Sequence, residues 1–249
     1  MSIRSLRDLD GLARVGRLVA SLRDAIAREV RPGVTTGALD RRAAAFLAAA
    51  APGARPAPRV EYGFPGTVLL SVNDEAVHGV PGPRTIRPGD VVKVDVTLEL
   101  DGYVADAAVT VAVEPVSSAV RNLCDGTHAA LERALEAARA GEPISAIGAA
   151  VEREASRRGL SVIRAVCGHG VGRRIHEPPA VPNHFDPSLR GVLTEGLVLA
   201  IEPILAAGAG DVVKGADGWT IRTADGSPAA HREHTVVIAR GRPIVLTAA

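Results

Sequence analysis

The sequence predicts an α+β chain built as two similar halves, each a pair of helices followed by strands, around a central antiparallel sheet. Three observations carry this reading. Apolar residues recur every three or four positions over residues 5–30, 36–50, 118–139 and 144–158, the period of amphipathic helices. Apolar stretches of strand length fall at 67–72, 91–113, 161–166, 197–205, 219–223 and 234–239. The order helix, helix, strands occurs twice, and Arg31, Gly33, Ala38 and Leu39 recur as Arg139, Gly141, Ala146 and Ile147, an offset of 108 residues. The repeat is weak as identity, and two similar helical hairpins arising by chance in an alanine-rich chain stand as the alternative. No low-complexity linker separates the halves, so residues 1–249 are read as one domain.

Taken in order, Leu6, Leu9, Leu12, Val15, Val19, Leu22 and Ile26 form the stripe of the first helix, which Pro32-Gly33 stops. The second helix ends at Pro52-Gly53, and a proline-rich stretch with Pro56 and Pro58 leads into short β-like segments. Residues 91–100 alternate with period two, setting Val92, Val94, Val96, Leu98 and Leu100 on one face and Lys93, Asp95, Thr97 and Glu99 on the other. Asp101-Gly102 is a favoured two-residue hairpin turn. With that turn, Asp95 faces Ala108 and Asp106 is its diagonal neighbour on the same face, ~7–8 Å away at the backbone. The two carboxylates can then share a cation, or they are ordinary aspartates of a half-exposed sheet. Asp106 sits in the apolar run Val104-Ala105-Asp106-Ala107-Ala108-Val109, where a buried carboxylate must be protonated, paired or metal-bound.

Composition narrows the function. The chain has 249 residues, with 29 Lys plus Arg against 28 Asp plus Glu, a net charge of +1. That balance argues against phosphate-dominated nucleic-acid binding. The six aromatics, Phe46, Tyr62, Phe64, Tyr103, Phe185 and Trp219, offer no base-stacking platform. A hydrophobic share of 47% argues against disorder. No apolar run reaches the ~18 residues of a membrane span, and charges every few positions break any secretory core in the first 30 residues. Cys124 and Cys167 cannot form a disulfide framework, so a reducing cytoplasm is expected.

Further candidate site residues lie in the second half. In Cys167-Gly168-His169-Gly170-Val171-Gly172, three glycines let backbone pass close to whatever the imidazole binds, and His176-Glu177-Pro178-Pro179 follows. Glu202 interrupts the apolar run 197–205, and Glu233-His234 leads straight into another. Asp95, Asp106, His169, Glu202 and Glu233, each in or beside a β segment, suit a pair of divalent cations with mostly oxygen ligands.

These motifs, in order, resemble the type I methionine aminopeptidases and their pita-bread fold: Ser71-Val72-Asn73-Asp74-Glu75-Ala76-Val77-His78-Gly79-Val80-Pro81, Val94-Asp95-Val96, Asp101-Gly102-Tyr103 with Asp106, the His169 and His176 segments, Ile201-Glu202-Pro203, Asp217-Gly218-Trp219-Thr220 and Glu233-His234-Thr235. The resemblance runs from the first helix to about Ile244. It implies hydrolytic removal of the initiator methionine from nascent chains with a small second residue, met at the ribosome. A compact monomer is the default expectation, and composition points to neither a nucleic-acid site nor a membrane partner. The resemblance also implies two divalent metal ions, Co, Mn, Fe or Zn, held by Asp95, Asp106, His169, Glu202 and Glu233, with Asp106 and Glu233 bridging both. It implies that Glu202 handles the proton of the nucleophilic water, and that His78 and His176 contact the peptide and stabilise the transition state. Tyr62, Phe64 and Trp219 are the implied walls of the methionine pocket.

The sequence departs from the pattern at Leu69, where cysteine is frequent, at Ile175, where phenylalanine is frequent, and at Ala107, which removes a hydroxyl beside Asp106. Leucine and isoleucine keep the pocket apolar. No helical insertion lies between His176 and Glu202, which argues against the type II class. Two other readings are an X-Pro peptidase of the same fold and an inactive pita-bread binding protein. The first ligand motif begins by residue 95, without the large preceding domain of X-Pro peptidases, and all five ligand positions with both auxiliary histidines are present. His128 is read as a helix-surface residue, Cys124 and Cys167 as packing residues, and His184 and His231 as near the site entrance at most.

Overall fold

The computed structural model describes residues 1–248. The first half runs α1 (Leu6–Glu29), α2 (Thr36–Ala50), β1 (Arg55–Pro56), α3 (Ala57–Tyr62), β2 (Leu69–Val72), β3 (Glu75–Val77), β4 (Val91–Leu100) and β5 (Tyr103–Ala112). The second runs α4 (Ser118–Ala137), α5 (Ser145–Arg157), β6 (Ser161–Val162), β7 (Gly168–Gly170), β8 (Glu177–Val181), β9 (Val198–Ile201), β10 (Ile204–Ala206), β11 (Val212–Lys214), β12 (Ile221–Thr223), β13 (Ala229–His231), β14 (His234–Val237) and β15 (Ile244–Val245).

The helices form where the apolar period meets a capping hydroxyl. Ser5 accepts a hydrogen bond from Asp8 N at the start of α1, Thr35 from Ala38 N at α2, and Ser117 from Val120 N at α4. α1 turns Leu12, Val15, Val19 and Leu22 onto the β4–β5 hairpin, where all four are fully buried. Those side chains with Val92, Val94, Val96 and Leu98 make one core. Leu123, Leu131 and Leu135 of α4 and Ile147 and Val151 of α5 pack on Leu199, Ile201 and Val236 to make a second. The repeated helix pairs thus cover repeated strand layers.

The expected central antiparallel sheet is distributed over four hydrogen-bonded groups: β1–β4–β2 with β5 on β4, β15–β14–β9–β7–β8, β13–β10–β6, and β11–β12–β3. Every strand pairing among them is antiparallel. The hairpin has the expected register, with Asp95 opposite Ala108 and Thr97 opposite Asp106. Several boundaries differ from the sequence reading for local reasons. The proline-rich stretch contains α3, because Pro58 sits in the first turn where no amide is needed. The apolar run 197–205 is split into β9 and β10 at Glu202-Pro203, since Pro203 has no N–H for the ladder. The segment 161–166 pairs only at Ser161–Val162, and 219–223 only from Ile221, which leaves Trp219 on a turn.

The halves are tied where β5 meets the start of β14. Thr235 Oγ1 accepts from Asp106 N and donates to Asp106 O, both at 2.8 Å, and Glu233 N donates to Ala108 O at 3.1 Å. Thr235 is fully buried, so no water can replace these bonds. Thr235→Val keeps the shape and removes donor and acceptor together. It is expected to cost about 1–3 kcal/mol for each backbone group left unpaired, read as a lower urea midpoint, whereas Thr235→Ser should retain the parent midpoint.

Candidate metal centre and substrate pocket

An open cavity of about 100 Å³ lies along the seam between the halves. Asp95, Asp106, His169, Glu202 and Glu233 line one end of it. Phe64, Leu69, Ile175 and Trp219 line the apolar end, with Tyr62, His78 and His176 also in the wall. Every residue singled out in the sequence as a site candidate therefore meets the same space.

Each is placed by a distinct piece of backbone. Asp95 and Asp106 project from the same face of the β4–β5 hairpin. His169 is the centre of β7, which is threaded between β8 and β9. A Cβ at Gly168 would stand 2.4 Å from Ala200 O, and one at Gly170 2.3 Å from Pro178 O, so only glycine lets the flanking strands close on the histidine. Glu202 emerges at the break between β9 and β10, and Glu233 on the short connection from β13 to β14. His78 follows β3 with φ +61°, a left-handed conformation uncommon for histidine. Leu70 N donates to Gly79 O at 2.9 Å and Gly79 N to Ser71 Oγ at 2.9 Å, which hold the turn that carries it.

The electrostatics are dominated by carboxylates without partners. Asp95 Oδ1, Asp106 Oδ1 and Glu233 Oε1 are buried and accept no hydrogen bond among the described residues. Burial and the neighbouring acids push Asp95 and Glu233 well above the ordinary carboxylate range. Burial, reinforced by the charge of Glu202, lifts Asp106 to about 7. Burial likewise lifts Glu202 to about 7, against the opposing pull of His169. Asp106, His169 and Glu233 bring one donor atom each within 4.8 Å of one another. His169 Nδ1 lies 3.0 Å from Gly170 O; a carbonyl only accepts, so Nδ1 carries a proton and Nε2 is the nitrogen turned toward the acids. That Nε2 stands 3.4 Å from Glu202 Oε1. Crowded carboxylate oxygens, three of them buried without a hydrogen bond, beside an imidazole nitrogen fit divalent cations.

The auxiliary histidines are neutral donors. Burial first, then the neighbouring histidines, brings both His78 and His176 down to about 4. Tyr62 Oη is 2.8 Å from His176 Nδ1, and with the phenol donating, the ring proton of His176 resides on Nε2. Tyr62 is 49% exposed, so it stands at the rim as a clasp on His176 as much as a wall. Phe64 is buried and meets Trp219 edge to face at 5.3 Å between ring centres. Leu69 and Ile175 are buried beside them, and Ala107 is fully buried in the first core.

Three contributors were not singled out in the sequence. Thr97, on the polar face of β4 two residues after Asp95, lines the cavity. Lys93, on the same face, is buried, donates Nζ to Asn73 O at 2.8 Å, and is brought down to about 7 by burial. His231 is read from the sequence as lying near the entrance at most; it is buried behind the carboxylates, 2% exposed. The available signal was a histidine in the apolar Ala229-Ala230 segment, two residues before Glu233. His184 does not line the cavity, and His128 is exposed on α4.

The sequence pattern of metallopeptidase family M24 matches residues 10–240. The chain belongs to that family. Among its relatives, "Methionine aminopeptidase 2" of Bacillus subtilis is 37% identical over 249 residues, 99% of both chains, and "Methionine aminopeptidase 1" of the same organism is 38% identical over 232 residues, 93% of both. The crystal structure of methionine aminopeptidase from Thermotoga maritima superposes with a TM-score of 0.95 at 32% identity over the whole of both chains. Prolidase from Pyrococcus furiosus shares the fold at a TM-score of 0.79 and 20% identity, over 99% of this chain and 65% of its own.

The buried acids set the pH dependence of the metal-free protein. Asp106 and Glu202 titrate near 7 when folded and near 4 when unfolded, so the folded state binds more protons over that interval and stability falls as pH rises through it. His78, His176, His231 and His234, all brought down to about 4, act oppositely but only up to their unfolded value near 6.5. Between pH 6.5 and 7.5 the two acids are opposed only by Lys93, whose depressed pKa near 7 acts in the other sense, so the melting temperature of chelator-treated protein should still drop. Added divalent cation should raise it more at pH 7.5 than at pH 5.5; equal shifts at both pH values would contradict the carboxylate account.

Proposed function

We propose that this chain is a divalent-metal-dependent aminopeptidase that removes N-terminal methionine from polypeptides whose second residue is small. It would act in the cytoplasm, as a monomer, on nascent chains at the ribosome. The observation that carries the reading is the cavity itself, with four carboxylates and a histidine at one end and apolar side chains at the other. Near-full-length relatives named methionine aminopeptidase support it.

Asp95, Asp106, His169, Glu202 and Glu233 would hold the metal, with Asp106 and Glu233 shared. Four ionised carboxylates carry four negative charges, which two divalent ions would balance; Co, Mn, Fe or Zn all suit such donors. The bound ions would supply Lewis-acid polarisation of the scissile carbonyl and a nucleophile at neutral pH. The chain's own groups do the remainder. Phe64, Leu69, Ile175 and Trp219 receive the thioether side chain and exclude water from it. His78 and His176, neutral at pH 7, donate N–H to the peptide as negative charge develops on it. Glu202, whose affinity for a proton is raised by burial, accepts the proton of the attacking water and passes it to the leaving amine.

Purified protein with Mn, Co, Fe or Zn should release methionine from Met-Ala-Ser and leave Ala-Pro-X peptides intact; absence of release with every metal would remove the reading. Glu202→Ala should lower turnover at least about 100-fold. Tyr62→Phe keeps the ring and loses the hydroxyl on His176. It should lower kcat about 2–10-fold with little change in KM, measured by steady-state kinetics on the same tripeptide.

A further inference from the structure

His231 ends β13, and its backbone is fixed on both sides. Thr110 Oγ1 donates to His231 O at 2.7 Å and accepts from His231 N at 2.9 Å, while Ile204 of β10 is its ladder partner. So held, the ring points into the back of the carboxylate cluster. Its Nε2 lies 3.5 Å from Glu202 Oε2 and 3.7 Å from Glu233 Oε2, and neither ring nitrogen has a hydrogen-bond partner among the described residues.

The two oxygens of Glu202 therefore face different imidazoles, Oε1 toward His169 and Oε2 toward His231. A nitrogen lone pair aimed at two carboxylate oxygens would be repelled by both, whereas an N–H there attracts both. We propose that His231 is a positioning residue of the metal centre: as the Nε2–H tautomer it shares its proton between Glu202 Oε2 and Glu233 Oε2, and so orients both carboxylates for the ions. Carboxylates that bind metal need their remaining oxygens hydrogen-bonded to keep one orientation. Thr110 holds the histidine backbone rather than either acid. His231 is placed to supply that bond. The inference rests on the metal-centre reading above.

The test compares the parent with His231→Ala and His231→Gln, a side chain that can donate N–H to the same oxygens. Mn²⁺ is titrated into chelator-stripped protein by calorimetry, and kcat and KM are measured separately on Met-Ala-Ser. His231→Ala should weaken Mn²⁺ binding about 10–100-fold and lower kcat with KM nearly unchanged. His231→Gln should recover affinity and kcat to within a few-fold of the parent. His231→Ala with parental affinity and kcat would overturn the inference while leaving the metal reading intact. A folded His231→Gln as impaired as His231→Ala would also overturn it, and would make the imidazole nitrogen itself a ligand. Failure of the parent to take up Mn²⁺ would overturn the metal reading and the inference together.

Discussion

The constraint on which this molecule turns is the burial of four carboxylates in one seam. Asp95, Asp106, Glu202 and Glu233 come from four separate elements and converge with few hydrogen bonds to share. An isolated buried carboxylate is costly, and several together repel one another. A fold has two ways to tolerate that. It can keep protons on the acids, which is the condition their raised proton affinities describe. Or it can place positive charge among them, which is the condition a metallopeptidase needs. The same geometry that weakens the empty protein at neutral pH would give a divalent ion its hold.

Holding such a seam together falls to the surrounding scaffold. Two separate apolar cores, one under each helix pair, carry the folding free energy on either side of it. Among the bonds that cross the seam are those beside the acids: Thr235 to both backbone groups of Asp106, Thr110 to His231, and Glu233 N to Ala108 O. Each lies within a residue or two of a carboxylate. The backbone is thus fixed at the positions where a side-chain shift would matter most. Lys93 adds a buried cation on the same face of β4, tied to the left-handed Asn73 that opens the strand leading to His78.

Much of this was legible in the residues themselves, and the limits are instructive. Strict alternation over 91–100 with an Asp-Gly turn determines hairpin register, because a one-residue slip would turn Asp95 and Lys93 into the core. Helices α1, α2 and α4 follow from a 3.6-residue period with a capping hydroxyl, and α5 from the period without one. The short strands did not announce themselves. Pairings of two or three residues, such as β6, β11 and β15, are imposed by neighbours rather than by local preference. Proline acted against the simple reading twice, opening α3 and splitting the run around Glu202. His231 was underread for a different reason. Its role lies in where its ring points across the seam, and that direction is set by Thr110, 121 residues away.

The division of labour between strands and turns has a further consequence. Asp95, Asp106 and His169 sit within strand ladders, with Glu202 and Glu233 one or two residues beyond strand ends. The pocket walls are carried differently: Tyr62 ends α3, Phe64 lies just past its left-handed Gly63 cap, Trp219 is on a turn and Ile175 in the loop before β8. A ladder residue cannot move without breaking its neighbours' hydrogen bonds, whereas a turn residue can be exchanged or shifted at small cost. Substrate choice can therefore change on this scaffold while the donor set stays in place. In this chain the Phe64–Trp219 edge-to-face contact and the buried Leu69 and Ile175 keep that end of the cavity apolar.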